Sequence, residues 1–161
     1  MKKKMSIMGI GPKLALVTIL YLIPVIIINN LEELVFTINI IPFIFLAMVG
    51  ALLIITDIPF LLISVFTIKK VYKQDILYTK GIYSVCRHPI YSSWILFIIP
   101  GIMLFFKSWL LISIPIVMYF LFRIMIKKEE SYLEEKFGSH YINYKNELNL
   151  LFPVFWKYSK K

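Results

Sequence analysis

Residues 88–130 read HPIYSSWILFIIPGIMLFFKSWLLISIPIVMYFLFRIMIKKEE. Two apolar runs, 90–106 and 109–126, are parted only by Lys107 and Ser108. Each is close to the length a helix needs to cross about 30 Å of hydrocarbon. The pair reads as a membrane hairpin, two antiparallel spans closed by a tight turn. Polar residues of varied type stand at both open ends. GIYSVCRHPIY, residues 81–91, leads in, and KKEESYLEEKFGSHYINYKNELNLLFPVF, residues 127–155, leads out. A chain that only spans lipid has no use for Tyr83, Arg87, His88, Tyr91 and a Glu129–Glu130 pair at helix ends. The hairpin is expected to bring these two clusters together over one pocket.

The rest of the composition agrees with a membrane setting. The chain has 161 residues, of which 60% are hydrophobic and 16% aromatic. Its mean hydropathy is +0.80. Soluble domains are nearer 45–50% apolar, so an integral membrane protein is expected, in one membrane domain covering residues 1–161. The net charge is +9. The basic residues cluster beside long apolar runs, which suits anionic lipid headgroups and leaves no role for nucleic acid. Cys86 is the only cysteine, so no internal disulfide forms. With two histidines besides, no protein-held metal is expected.

Before the hairpin, residues 14–28 form a first apolar run. Asn29, Asn30 and Glu32 follow it directly, with no small-x-small cleavage site, so it reads as a retained span. Lys13 is placed to snorkel and Pro24 to kink it. The next run, 40–68, is longer than one bilayer crossing. It carries Asp57 and Pro59. It reads as a span over about residues 40–58, continued by a bent or interfacial helix to about residue 72. The fold class is therefore all-α and polytopic: four transmembrane helices (five are open) with cytoplasmic interfacial helices.

Charge sets the orientation. Lys2, Lys3 and Lys4 precede span one, and Glu32 and Glu33 follow it. Lys69, Lys70, Lys73, Lys80 and Arg87, against Asp75 alone, follow span two. Basic residues return after span four. By the positive-inside rule both termini and both polar clusters face the cytoplasm, here of a bacterial membrane. Beyond Glu135, Gly138 is a natural helix stop and Ser139 a cap for a further helix. Its Tyr141, Tyr144, Leu148 and Leu151 make one apolar stripe, with Lys145 off it. That pattern suits a helix lying in the membrane interface, with Phe152, Phe155, Trp156 and Tyr158 as an aromatic anchor.

The order G-x-Y-x-x-x-R-H-P-x-Y, hydrophobic hairpin, E-E-x-x-L-x-x-x-F-G-x-x-Y-x-x-Y resembles the isoprenylcysteine carboxyl methyltransferase family, with phospholipid N-methyltransferases as relatives. The resemblance covers residues 77–153. Two positions depart from the pattern. Ser93 stands where the family usually has Gly, and Leu150 where an Arg often precedes the final Pro, here Pro153. The resemblance implies S-adenosylmethionine-dependent methyl transfer to a lipophilic acceptor. It makes Arg87 and Glu130 the catalytic candidates. It assigns cofactor binding to Gly81, Tyr83, His88, Pro89, Tyr91, Glu129 and Glu130.

Each assignment has a plainer alternative. His88, near a helix N-terminus, suits an anionic group such as a cofactor carboxylate, or only anchors its loop. Arg87 can pair with a carboxylate bidentately, or is a basic flank residue. Glu129 and Glu130 point about 100° apart on a helix, so at most one faces the pocket squarely. Tyr83 and Tyr91 can offer ring faces to a sulfonium, or belong to an interfacial belt. Gly81 admits close backbone approach, or simply turns the chain. Cys86 reads as packing. Asp57 is either functional or marks the cytoplasmic boundary. Arg123 closes the pocket or snorkels. Two other readings remain open: an NADPH-dependent membrane reductase of the steroid-reductase kind, and a non-catalytic lipid-binding subunit. The acceptor is open among a prenylcysteine carboxylate, a phospholipid amine, and a small isoprenoid or thiol. The oligomeric state is open too.

Overall fold

The computed structural model describes residues 8–72 and 76–153. Lys2–4, Lys73, Asp75, Phe155, Trp156 and Tyr158 lie outside the described residues. Within them the chain is helical, with no strand and one isolated bridge between Thr37 and Ser108. Three helices are long and apolar enough to cross a membrane: α1 (Gly11–Leu31), α3 (Phe43–Tyr72) and α5 (Trp109–Phe137). A fourth apolar helix, α4 (Pro89–Leu104), is shorter. The short α2 (Glu33–Phe36) follows α1, and α6 (Ser139–Glu147) follows α5.

Both early helices pass through a proline. α1 has Pro12 in its first turn and continues past Pro24. α3 is one helix of 30 residues through Pro59, joining the span expected over about residues 40–58 to the helix expected to continue to about residue 72. In lipid no water competes for the backbone, so a helix keeps its remaining bonds around a proline. At 1.5 Å per residue α3 is longer than the hydrocarbon is thick. Asp57 therefore lies within the helix, not at its end.

α3 buries only a seam: Leu46, Gly50, Asp57, Ser64 and Val71. The last four recur every seventh residue, the spacing of a close left-handed helix contact. Its other faces leave Ile44, Met48, Leu52, Ile55 and Phe66 exposed for lipid. Between helices in lipid, small residues allow the close approach that drives association. Gly50 meets Gly101 of α4 in this way. A Cβ on Gly50 would lie 2.6 Å from the Gly101 carbonyl oxygen. A Cβ on Gly101 would lie 2.8 Å from Ile54 Cγ1 and 2.9 Å from the Gly50 carbonyl oxygen. α4 widens into a π turn over Ser93–Ile98, just before Pro100. Pro100 has no N–H to give and its ring crowds the preceding turn, a common setting for such widening.

α1 lies along α5. Ile10 and Leu14 share a core with Ile95, Met118, Phe122, Ile126 and Leu151. Val25 shares a second with Met103, Leu111 and Ile114. Tyr21 and Ser113 hydroxyls are 2.9 Å apart. At the far end the Ile38 N–H donates to the Lys107 carbonyl, 2.8 Å, and Asn29 bonds Ser108. Ser108 also caps α5, accepting from the Leu111 N–H. The start of α1, the end of α3, the start of α4 and the end of α5 thus share one end of the molecule.

α5 runs to Phe137, and Gly138 stops it at φ +56°. α6 begins on Ser139 with no side-chain cap, so the expected Ser139 cap is not made. The stripe expected to face the membrane interface is buried inside the protein. Tyr141, Tyr144 and Leu148 pack with Leu77, Leu133 and Phe137, and Leu151 joins the first core.

Candidate functional site

The loop of Arg87 and His88 is held from both sides. Gly81 takes φ +59° and opens a 3-10 turn, Gly81–Ser84. The Tyr144 hydroxyl donates to the Tyr83 carbonyl, 2.6 Å. The Arg87 N–H donates to the Asn149 carbonyl, 3.1 Å, and the His88 N–H to the Leu150 carbonyl, 3.2 Å. Pro89 then begins α4, and His88 before it is non-helical at φ −127°, ψ 67°, as a residue before proline prefers. Two backbone bonds and one proline thus fix where both side chains leave the loop.

From the end of α5 come Glu129 and Glu130. Glu130 Oε1 lies 2.6 Å from Arg87 Nη1, with both side chains buried. Lys145 Nζ is 3.3 Å from Glu130 Oε2, and the Tyr141 hydroxyl donates to Oε1, 3.3 Å. His88 stands between the two carboxylates, Nδ1 3.8 Å from Glu129 and Nε2 3.6 Å from Glu130. Those separations are too long for hydrogen bonds. Glu129 turns the other way, as its 100° offset requires. Its Oε2 accepts from the Tyr91 hydroxyl and from the Ile10 N–H, each 3.2 Å. The Ile10 N–H also reaches the Tyr91 oxygen, 3.1 Å.

The cluster holds unused donors. Arg87 Nε and Nη1 and His88 Nε2 are buried without an aligned hydrogen-bond partner. Nη1 touches Glu130 as a charge, but not along a hydrogen-bond direction. Three carboxylates, Glu129, Glu130 and Glu134, face the cations of Arg87 and Lys145 and the imidazole of His88. The Glu134 carboxylate, 2.6 Å from Lys145, raises the pKa of that ammonium above its ordinary value, against a smaller opposing effect of burial. Burial pushes the Tyr141 and Tyr144 phenols well above theirs. Both are therefore hydroxyl donors at any ordinary pH.

Arg87, His88, Tyr91, Glu129 and Glu130 thus meet. Pro89 is buried behind them and shapes the loop. Tyr83 does not join: its ring packs edge-on to Tyr78, and its hydroxyl points to the Ser64 carbonyl, 3.4 Å. Gly81 also lies apart: among the described residues, a Cβ there would meet the Tyr78 hydroxyl at 3.9 Å. Tyr141 and Lys145 were not among the site candidates, nor was the start of α1. Tyr141 and Lys145 are four apart, so one helical face presents both. That spacing was readable, although Lys145 alone looked like a solvated residue off an apolar stripe. Asp57 is 3% exposed, with Oδ2 unpartnered, and faces Ser93 across the α3–α4 seam.

A model of the isoprenylcysteine carboxyl methyltransferase (ICMT) family matches residues 34–135, more than half of the chain. The chain belongs to this family. No curated protein matches it. No solved structure matches it. The family match begins in α2 and ends at Glu135, so it includes the Arg-His-Pro loop, the hairpin and both glutamates. Tyr141, Tyr144 and Lys145 fall beyond it. An ICMT-family chain is an integral membrane protein of a methyltransferase family. Its apolar helices and this match point the same way.

Cys86 adds no chemistry here. It is fully buried, and burial pushes its thiol up to about 12. The thiolate is the reactive form. At neutral pH a maleimide is expected to label the folded protein at least ~100-fold more slowly than the unfolded chain. Equal rates would show that the loop opens freely.

Proposed function

We propose that this ICMT-family protein transfers a methyl group from S-adenosylmethionine to a lipophilic acceptor at the cytoplasmic face of a bacterial membrane. What carries the reading is the buried Arg87–His88–Glu129–Glu130 cluster with its unused donors, inside the family-matched region. S-adenosylmethionine supplies a sulfonium methyl, together with a carboxylate and an ammonium. Arg87 Nε and His88 Nε2 suit the carboxylate. Glu129 and Glu130 suit the ammonium, and the surplus of acid over cation in the cluster suits a cationic ligand. Tyr91 holds Glu129 in place, and Pro89 sets the loop. Tyr83 and Gly81 act at one remove, by shaping the 3-10 turn. Arg87 and Glu130 are the pair that lies nearest the reacting centre. Methyl transfer is an in-line displacement, so the protein's part is alignment and exclusion of water.

The reading includes four membrane passes, with α4 as the third, in one membrane domain. Its support is the charge alternation and the shared end of α1, α3, α4 and α5. Reporters at residue 1 and residue 161 are expected on the cytoplasmic side. Reporters on opposite sides would remove the four-pass arrangement.

The cofactor is tested on purified protein. His88→Ala should weaken binding of S-adenosylmethionine or its demethylated product about tenfold to a hundredfold, the loss of one charge-assisted hydrogen bond. Unchanged affinity in a folded variant would take His88 out of the site. No binding by the parent protein would sink the methyltransferase reading.

A further inference from the structure

The chain enters α1 through a turn at Met8, Gly9 and Ile10, and this turn rests on the candidate site. It lies outside residues 34–135, the stretch that matches the family. The Ile10 N–H is 3.1 Å from the Tyr91 oxygen and 3.2 Å from Glu129 Oε2. The Met8 carbonyl accepts from the Gly11 N–H, 2.9 Å. The Tyr91 hydroxyl has one proton and two acceptors in reach, Glu129 Oε2 at 3.2 Å and the Met8 carbonyl at 3.3 Å. A helix start that needs only a cap takes it from a Ser, Thr, Asp or Asn at its own first position. Here that position is Ile10, with no side-chain cap, and the carboxylate comes from the far end of α5.

Gly9 makes the close approach possible. It takes φ +50°, a region that favours glycine. A Cβ there would collide with Glu129 Oε2 and lie 2.9 Å from both Glu129 Cδ and the Tyr91 oxygen. Ile10 anchors the turn. Its side chain packs with Ile95 of α4 and with Phe122 and Ile126 of α5. Those two helices also carry Tyr91 and Glu129, so the turn is fixed to the walls of the site itself. The contact divides the two oxygens of Glu129. Oε2 is held by the Ile10 N–H and the Tyr91 hydroxyl. Oε1 lies on the His88 side, 3.8 Å from Nδ1, and makes no hydrogen bond among the described residues.

We propose that Gly9 and Ile10 are positioning residues of the cofactor site, pinning Glu129 Oε2 so that Oε1 takes the ammonium of the methyl donor. This rests on the methyl-transfer reading and adds to it a wall built from the start of α1. The turn acts through Glu129 and touches no cofactor atom. Its effect is therefore confined to ligands that carry the amino group.

The test uses the full chain in neutral detergent and two probes, S-adenosylhomocysteine and its analogue without the amino group, titrated calorimetrically. The parent protein should favour the amine at least tenfold, as one charge-assisted hydrogen bond requires. Gly9→Ala should cut that preference below about threefold, by weakening the amine and leaving the analogue within about threefold of the parent. Gly11→Ala is the matched control. A Cβ there would meet Tyr91 only at 3.9 Å, an ordinary contact, so the preference should stay. If Gly9→Ala does not fold, Tyr91→Phe carries the test. It removes the hydroxyl that shares Oε2 with Ile10 and keeps the ring, and it too should lower the preference. A Gly9→Ala protein that keeps the preference, or that weakens both probes alike, overturns the proposal, as does a folded Tyr91→Phe protein with the preference intact. A parent that binds both probes equally overturns it too and leaves the cofactor reading standing. A parent that binds neither probe ends the methyltransferase reading and this proposal with it.

Discussion

Glu130→Gln is expected to destabilise the folded protein by about 3–5 kcal/mol. The carboxylate is 7% exposed and touches Arg87, Lys145 and the Tyr141 hydroxyl. Its removal leaves the Arg87 guanidinium buried and uncompensated, which is the costly half of breaking a buried pair. Arg87→Gln should cost a similar amount by the converse argument. The double variant should be milder than the sum of the two by about 1 kcal/mol or more, since neither charge is then left alone. Chemical unfolding in mild detergent gives all three values. Glu134→Gln is the control. Its pair with Lys145 is short at 2.6 Å, but both side chains are about a third exposed, so the loss should stay under about 1 kcal/mol. Costs that add within error would mean that Arg87 and Glu130 do not act as a pair in the folded protein. The same variants should lose cofactor affinity if the proposed function is right.

Gly101→Leu should be nearly as damaging, at about 3 kcal/mol, the upper end for an overpacked contact. The first added carbon already falls 2.9 Å from the Gly50 carbonyl oxygen. Backbone cannot step aside as a side chain can, so α3 and α4 must separate. The seam below would open with them, exposing Asp57 and Ser93. Gly50→Leu should behave alike, because its Cβ meets the Gly101 carbonyl oxygen at 2.6 Å. The comparison is Gly138→Ala. Nothing lies within 4 Å of a Cβ there, and only the φ of +56° resists substitution, at about 1–2 kcal/mol. Unfolding midpoints and the monodispersity of the purified variants report the difference. A Gly50→Leu protein that unfolds within ~0.5 kcal/mol of the parent would refute the close crossing.

The readable parts of this molecule were those fixed by position along a helix. Arg87 and Glu130 lie at similar distances from the Lys107–Ser108 turn, and antiparallel helices of equal rise carry them to the same depth. The positions of Tyr141 and Lys145 had no such route. They depend on the direction in which the chain leaves Gly138, a single backbone rotation that no periodicity encodes. The stripe on α6 was correct as a stripe but assigned to the wrong cover. An apolar face shows that something covers it, and lipid and protein satisfy it equally. The Ile10 N–H was invisible for another reason. It is a backbone donor at the open first turn of α1, and every helix has such donors.

The Asp57 seam also bears on how the protein is made. The ribosome delivers α3 before α4, so Asp57 enters the bilayer while Ser93 is still unsynthesised. A carboxyl group at mid-helix opposes insertion by about 2.5–3.5 kcal/mol. The apolar residues around it, Leu52 to Ile55 and Phe60 to Ile63, each favour insertion by a few tenths of a kcal/mol and together outweigh it. The half-made protein therefore sits in the membrane with one unsatisfied acid on a surface otherwise suited to lipid. The next helix covers that acid by packing in one register, with Gly101 against Gly50 and Ser93 facing Asp57.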